Sequence, residues 1–100
     1  MPKHEIHITE AAIQDLTDMI EYISFDNPSA ALQLADEIEH QIYQLEDFPL
    51  LGAIPKNRRL AHKGYRTLIV NDYLVFYIVG DMIVEIRRII SGKRHYSKLL

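Results

Sequence analysis

The spacing of apolar residues changes near the middle of the chain, and this change limits the folds that the chain can adopt. From Ala12 to Leu45 apolar residues recur at every third or fourth position, which is typical of amphipathic helices. From Tyr65 to Ile90 they form three short runs rich in β-branched and aromatic residues, separated by turn residues. A chain that places its helices before its closely spaced strands predicts an α+β fold.

The first half predicts two helices. The first follows Thr9, a suitable N-cap, and ends near Phe25. The second begins at Pro28, with Asn27 as its N-cap, and stops before Phe48-Pro49. Because the connection between them is short, we expect an antiparallel hairpin with an acidic outer face. Its inner face is expected to pack on a sheet through Leu16, Ile20, Ile38 and Leu45, and packing roles are also assigned to Met19, Tyr22, Ile23 and Tyr43.

Four strands complete the predicted domain. His4–Thr9 alternates in polarity and predicts a short, half-buried strand. Two-residue connections, Asn71-Asp72 and Gly80-Asp81, separate three later runs and predict an antiparallel meander of Tyr65–Val70, Tyr73–Val79 and Met82–Ile90. The order β-α-α-β-β-β therefore predicts a helical hairpin on one face of a small, mainly antiparallel twisted sheet. Residues 50–62 are expected to form a loop with a basic end.

Length and composition exclude several classes of protein. One hundred residues predict a single domain spanning residues 1–100. The absence of cysteine excludes disulfides, a thiol nucleophile and a thiolate metal site, and no spaced His/Asp ligand set suggests a metal or cofactor. The segment Met1–Glu5 lacks the apolar run of a signal peptide, and the apolar stretch Leu68–Val79 is interrupted by Asn71-Asp72. We therefore expect a cytoplasmic protein without a membrane partner.

Charge is divided unevenly between the two halves of the chain. Residues 1–50 hold one basic and eleven acidic residues, a formal charge of −10, whereas residues 51–100 hold ten basic and three acidic residues, a formal charge of +7. This division suggests a basic functional surface, suited to a polyanion, on an acidic scaffold. The alternative is an ordinary solvated surface whose charges happen to be uneven in chain order.

One histidine stands apart from the other four as a candidate for proton transfer. His4, His7 and His40 are expected to be structural, and His62 is undecided, whereas His95 lies within Lys93-Arg94-His95-Tyr96. Cleavage of RNA needs an acid, a base and cations that stabilise the charge on the phosphorane. This cluster supplies such groups without a metal. The alternative is that the tail, which ends in Leu99-Leu100, serves as a docking segment; we expect it to contribute little to the core.

Several segments, read in order, resemble one family over essentially the whole chain. They are Ala12–Ile23, Asp26-Asn27-Pro28 with Ala30-Ala31, Phe48–Gly52, Gly64-Tyr65-Arg66, Tyr73–Tyr77 and Arg88–Arg94. Their order and spacing resemble the RelE/ParE superfamily of bacterial toxins. The resemblance implies the fold described above and a type II toxin–antitoxin toxin that a co-expressed antitoxin inhibits.

The resemblance leaves two mechanisms open. RelE-like toxins cut mRNA in the ribosomal A site, whereas ParE-like toxins poison DNA gyrase, and the loops and turns here look more like the ParE type. Arg94 matches a catalytic arginine of the RelE type, and His95-Tyr96 and Asp72-Tyr73 resemble residue pairs of other nuclease branches. Two departures are Leu74, where the RelE type has an arginine, and Leu100, where it has a tyrosine.

From these residues we expect metal-independent, ribosome-dependent mRNA cleavage, with inhibition of DNA gyrase without nuclease activity as the alternative. A third interpretation is a binding module whose basic half holds an acidic antitoxin. The candidate catalytic residues are Arg94, His95, Tyr96, Asp72 and Tyr73. The candidate RNA- or phosphate-binding residues are Arg58, Arg59, Lys63, Arg66, Arg88 and Lys93.

Overall fold

The predicted α+β element order is present, with a third helix added between the hairpin and the later strands. The computed structural model describes residues 3–100, so Met1 and Pro2, part of the segment without a signal-peptide pattern, lie outside the described residues. The elements are β1 (Glu5–Ile8), α1 (Glu10–Ser24), α2 (Pro28–Tyr43), a 3₁₀ turn (Gln44–Glu46), α3 (Arg58–His62), β2 (Tyr65–Val70), β3 (Tyr73–Val79), β4 (Ile83–Ser91) and a second 3₁₀ turn (Tyr96–Lys98).

Side-chain caps begin α1 and α2 where the sequence predicts them. The Thr9 hydroxyl accepts a hydrogen bond from the backbone N–H of Ala12 at 3.2 Å. The Asn27 side chain accepts one from the N–H of Ala30 at 3.1 Å, and Pro28 occupies the first turn of α2. Each cap satisfies a backbone donor that a helix N-terminus leaves without a partner inside the helix. The two helices therefore start at defined positions and pack together as a hairpin.

The four strands form one sheet in the order β1-β4-β3-β2. β2, β3 and β4 pair antiparallel, as predicted, whereas β1 pairs parallel with β4, with Ile6 opposite Val84. The predicted Gly80-Asp81 connection is one residue too short, because Met82 adopts a φ of 62° and β4 starts at Ile83. A hydrogen bond of 2.7 Å from the N–H of Gly80 to the carbonyl of Ile83 closes this three-residue turn.

The main core lies between the helical hairpin and the sheet. Ile38 and Leu45 are fully buried there, and Leu16 and Ile20 pack against its edge, so the four predicted contacts are confirmed. The prediction that Tyr22 packs in the core is wrong, since 80% of that residue is exposed. Tyr22 lies three positions after buried Met19, which places it at the side of the inward-facing stripe of α1. Tyr43, for which packing is also predicted, is about half exposed, at 49%.

The opposite face of the sheet carries a second, smaller core. Four buried side chains form it, and three residues of the C-terminal tail pack against them: Leu60, Tyr65, Phe76 and Ile90, covered by Tyr96, Leu99 and Leu100. The expectation that the tail adds little to the core is wrong for these three residues. The predicted loop over residues 50–62 is also corrected, because Asn57 caps α3 by accepting from the N–H of Leu60 at 3.1 Å. This short helix delivers Leu60 to the second core.

A buried tyrosine fixes the loop that follows the helical hairpin. The Tyr77 hydroxyl donates to the carbonyl of Pro49 at 2.9 Å and accepts from the N–H of Gly52 at 2.8 Å. A Cβ on Gly52 would lie 2.7 Å from that hydroxyl and 2.8 Å from the carbonyl oxygen of Thr67. Both distances are shorter than a carbon atom tolerates, so position 52 requires glycine for reasons of space.

Replacing Ile38 by alanine should lower the free energy of unfolding by about 2–4 kcal/mol, because it leaves a cavity in the main core. Leu32→Ala is the matched control, since Leu32 lies on the same helix but is 62% exposed; it should change stability by no more than about 0.5 kcal/mol. Urea unfolding followed by circular dichroism measures both values. Equal losses in the two variants would show that the buried face of α2 is misassigned.

Gly52→Ala should destabilise the fold by about 1–3 kcal/mol, because the added methyl group displaces the Tyr77 ring or the β2 backbone. Gly80→Ala is the control: the nearest atom to its Cβ is the carbonyl oxygen of Ile83 at 3.7 Å. This control should be neutral or slightly stabilising, because alanine restricts the unfolded chain. Melting temperatures of the two variants that fall by the same amount would contradict the steric argument.

Candidate functional site

Arg88, a candidate phosphate ligand, forms a two-pronged ion pair with a carboxylate on α1. Its Nε lies 2.7 Å from Asp15 Oδ2, and its Nη2 lies 2.9 Å from Asp15 Oδ1. Asp15 Oδ2 also accepts the backbone N–H of Ile89 at 2.9 Å, and Arg88 Nη1 donates to the carbonyl of Leu99 at 3.3 Å. The hydrogen bonds to Asp15 raise the pKa of Arg88 above its ordinary value. The guanidinium therefore joins α1, β4 and the tail.

Three other candidate phosphate ligands donate to backbone carbonyls of the chain itself. Arg59 donates to the carbonyl of Ser97, and Lys63 Nζ lies 3.1 Å from the carbonyl oxygen of Leu100. Arg66 Nη1 donates to the carbonyl of Gly52 at 2.7 Å. These cations hold the tail and the loop after α2 in place, and their donors are partly used. Arg58 and Lys93 are exposed.

The candidate catalytic residues of the tail line a small cleft. Arg94, His95 and Tyr96 surround it together with Asn57 and Ser97, and its volume is about 230 Å³. Arg94 and His95 are exposed, so both are accessible to a ligand. The Tyr96 ring, in contrast, packs at a centroid distance of 5.2 Å from Phe76, within the second core.

Asp72 and Tyr73, the other two candidate catalytic residues, lie next to the start of the tail. The carbonyl of Asp72 accepts the N–H of Gly92 at 2.7 Å, which places the β2–β3 turn beside the start of the tail. Tyr73 and Arg94 line a groove of about 410 Å³ along α1. Burial raises the pKa of the Tyr73 hydroxyl, and Tyr22 and Asp72 add to this shift, so Tyr73 keeps its proton. Arg94 thus borders both clefts, with His95 and Tyr96 on one side and Tyr73 on the other.

Leu74 occupies the position where the RelE type carries an arginine, and its environment explains the apolar residue. Leu74 is half-buried and packs against the second core beside Phe76 and Ile90. A guanidinium there would have to leave this apolar contact or lose its hydration.

In the described part of the chain, no group of three or more His, Cys, Asp or Glu side chains could hold a metal ion. No helix among residues 3–100 has the length and apolar character that a membrane span needs.

Sequence reasoning missed Asp15, which sets the position of Arg88. The two residues are 73 positions apart, and no local pattern joins them. The available signal was an acidic residue only one position from the inward-facing Leu16 on α1, close to the buried stripe of Ala12 and Met19. An acidic side chain placed so close to a packed face needs a cationic or N–H partner.

Comparison with known proteins identifies the family. The model that describes ParE toxins of the type II toxin–antitoxin system parDE matches residues 6–96. The chain belongs to the ParE toxin family. The sequence-based resemblance to the RelE/ParE superfamily is thereby confirmed.

Solved structures with this fold include other toxin–antitoxin chains. One from the chromosomal ParDE system of P. aeruginosa superposes with a TM-score of 0.72 at 21% identity, covering 89% of this chain and 96% of that chain. One from the toxin–antitoxin complex RelBE2 of Mycobacterium tuberculosis gives 0.60 at 24% identity, covering 91% and 93%. Among curated protein sequences, none matches this ParE-family toxin.

In this ParE-family toxin, Asp15→Asn should lower the free energy of unfolding by about 1–3 kcal/mol, because it leaves the half-buried Arg88 guanidinium without its charged partner. Asp18→Asn is the matched control: Asp18 lies on the same helix, is exposed and takes part in no salt bridge within residues 3–100. Its loss should stay within about 0.5 kcal/mol. Urea unfolding measures both, and equal stability of the two variants would contradict the structural role of Asp15.

Proposed function

We propose that this toxin arrests growth by inhibiting DNA gyrase, without cutting RNA, and that a cognate antitoxin neutralises it. The observation that carries the proposal is the match of residues 6–96 to the ParE toxin family. The chain resembles ParE-like toxins, which poison DNA gyrase, and this resemblance supplies the target. The mechanism requires a protein-binding surface and needs no residue that transfers protons.

The contacts of the basic residues support this proposal over RNA cleavage. A nuclease of this kind needs cations that are free to stabilise charge on the phosphate as it reacts. Here Arg88 is paired with Asp15, while Arg59 and Lys63 hold carbonyls of the tail. Using them on RNA would break contacts that hold the fold together. The position that carries a further arginine in the RelE type is Leu74.

Ribosome-dependent mRNA cleavage is the second candidate, and one observation favours it. Arg94 and His95 are exposed side by side at the small cleft with Tyr96 and Asn57. In this mechanism His95 would act as the acid or base and Arg94 would bind the reacting phosphate. Asp72 and Tyr73 lie on the other side of Arg94 and would be auxiliary.

Induction of the toxin without antitoxin, read out in two ways, distinguishes the candidates. We expect growth arrest with gyrase trapped on cleaved DNA and with intact mRNA; co-expression of the antitoxin should restore growth. Normal growth despite soluble toxin would refute a toxin function. Mapped cuts in ribosome-bound mRNA, without trapped gyrase, would replace the gyrase proposal with the nuclease.

Variants of the tail sharpen the same experiment. If gyrase is the target through a surface elsewhere, Arg94→Ala and His95→Ala stay toxic. If the tail is a nuclease site, Arg94→Ala should lower the cleavage rate by about 10²–10³-fold and His95→Ala by about 10²–10⁴-fold. Lys98→Ala, an exposed basic residue of the same tail, is the control. Melting temperatures establish that a loss of activity is not a loss of fold.

A further inference from the structure

One face of α1, continued by the C-cap residue Phe25, takes no part in either core and carries two strongly exposed aromatic residues. Phe25 is 91% exposed and Tyr22 is 80% exposed. With Asp18 and Glu21 they follow the spacing i, i+3, i+4 and i+7, which places all four on one side of the helix. That side lies next to the stripe of buried Ala12 and Met19 but outside it. Exposed rings grouped in this way indicate a binding surface.

The same face forms a cleft with an acidic rim. Five residues line it around a volume of about 470 Å³, and we name it the α1 cleft: Asp18, Glu21, Tyr22, Phe25 and Asp26. All five are exposed. Three of them are carboxylates and two are aromatic, and no basic residue contributes to the lining. The α1 cleft therefore combines negative charge with flat apolar surface.

No salt bridge in the described part of the chain neutralises this negative charge. The salt bridges among residues 3–100 involve other carboxylates, and Asp18 accepts a hydrogen bond from the neutral amide of Gln14 at 2.7 Å. The last turn of α1 has no basic residue, so the negative end of the helix dipole adds to the charge. Lys93 lines a neighbouring cleft with Tyr22, and Arg94 lines another with Tyr22 and Asp18, but neither cation forms a salt bridge with a carboxylate of the α1 cleft. A cation brought by a partner would meet carboxylates and aromatic rings together.

We propose that the α1 cleft docks a basic segment of the cognate antitoxin, in which a lysine or arginine lies beside an apolar residue. The cation would bind the carboxylates and the rings of Tyr22 and Phe25, while the apolar neighbour covers the ring edges. The inference rests on the antitoxin partnership proposed above and is independent of the gyrase target. In this contact the toxin surface is acidic and the antitoxin segment is basic. The contact expected between the basic half of the toxin and an acidic antitoxin has the charges the other way round.

A second copy of this chain could offer only some of its basic residues to the α1 cleft. Arg58, Lys93 and Lys98 are exposed, but others are engaged within their own chain. Arg88 is paired with Asp15, and Arg59, Lys63 and Arg66 donate to backbone carbonyls. Withdrawing any of them would cost contacts that stabilise the tail or the loop. A basic segment of a different protein carries no such cost.

The test measures the affinity of toxin variants for the antitoxin, identified as the partner whose co-expression restores growth. Phe25→Ala should raise the Kd at least about tenfold, as expected for loss of a central aromatic contact. The matched control is Phe48→Ala, since Phe48 is 63% exposed but lies outside the α1 cleft. It should change the Kd less than about twofold. Unchanged affinity in Phe25→Ala would overturn the proposal.

Neutralising the rim tests the charge of the docked segment. The double variant Glu21→Gln/Asp26→Asn should also bind about tenfold more weakly, and its Kd should depend less on salt than that of the wild type. Asp36→Asn/Glu39→Gln, which removes two exposed carboxylates from α2, is the matched control. If only Phe25→Ala weakens binding and the salt dependence is unchanged, the docked segment is apolar and the proposal is wrong.

Toxicity and oligomeric state of the same variants identify the occupant. We expect the variants to arrest growth as the wild type does without antitoxin, but to resist neutralisation. Variants that lose toxicity while binding the antitoxin normally would assign the α1 cleft to the cellular target. A change in the sedimentation of the free toxin would assign it to self-association. Either result overturns the proposal, whereas a negative gyrase assay would overturn the proposed function and leave these affinities unaffected.

Discussion

The contact between Asp15 and Arg88 holds together three parts of the molecule that are distant in sequence. The carboxylate accepts two bonds from the guanidinium and one from the N–H of Ile89, so its charge is well satisfied although it is mostly buried. The remaining guanidinium nitrogen reaches the carbonyl of Leu99. The helical hairpin on one sheet face and the tail on the other are thereby fixed to the same strand. The α1 cleft and the Arg94–Tyr96 cleft are consequently held in a defined relation to each other.

Local patterns in the sequence predicted most of the fold, and the misses have physical causes. The caps at Thr9 and Asn27 and the three later strands could be read from short segments, because each depends on neighbouring residues. The parallel pairing of β1 with β4 joins strands separated by the whole helical hairpin, so no local spacing reports it. The second core was missed because the tail covers it with only three apolar residues, Tyr96, Leu99 and Leu100. Three residues are too few to show the spacing of a helix or a strand.

The candidate site was predicted by residue type but not by how each side chain is used. The basic half contains the cations that the sequence identifies, and the structure places Arg94 and His95 together in an accessible cleft. Composition cannot show that Arg88 is bound by a carboxylate 73 positions away. It also cannot separate Tyr22 from the core, because that residue lies only just outside the inward-facing stripe of α1. In both cases the outcome depends on three-dimensional neighbours.

The way in which the tail is held leaves its surface free to vary. Arg59 and Arg88 donate hydrogen bonds to the backbone carbonyls of Ser97 and Leu99, and every residue has such a carbonyl. The polar side chains between the apolar anchors are therefore not needed for attachment, and substitutions at Ser97 or Lys98 leave these bonds intact. A tail attached through its main chain can acquire a new recognition surface without losing its place on the sheet. Related toxins with the same scaffold could diverge in what they recognise by this route.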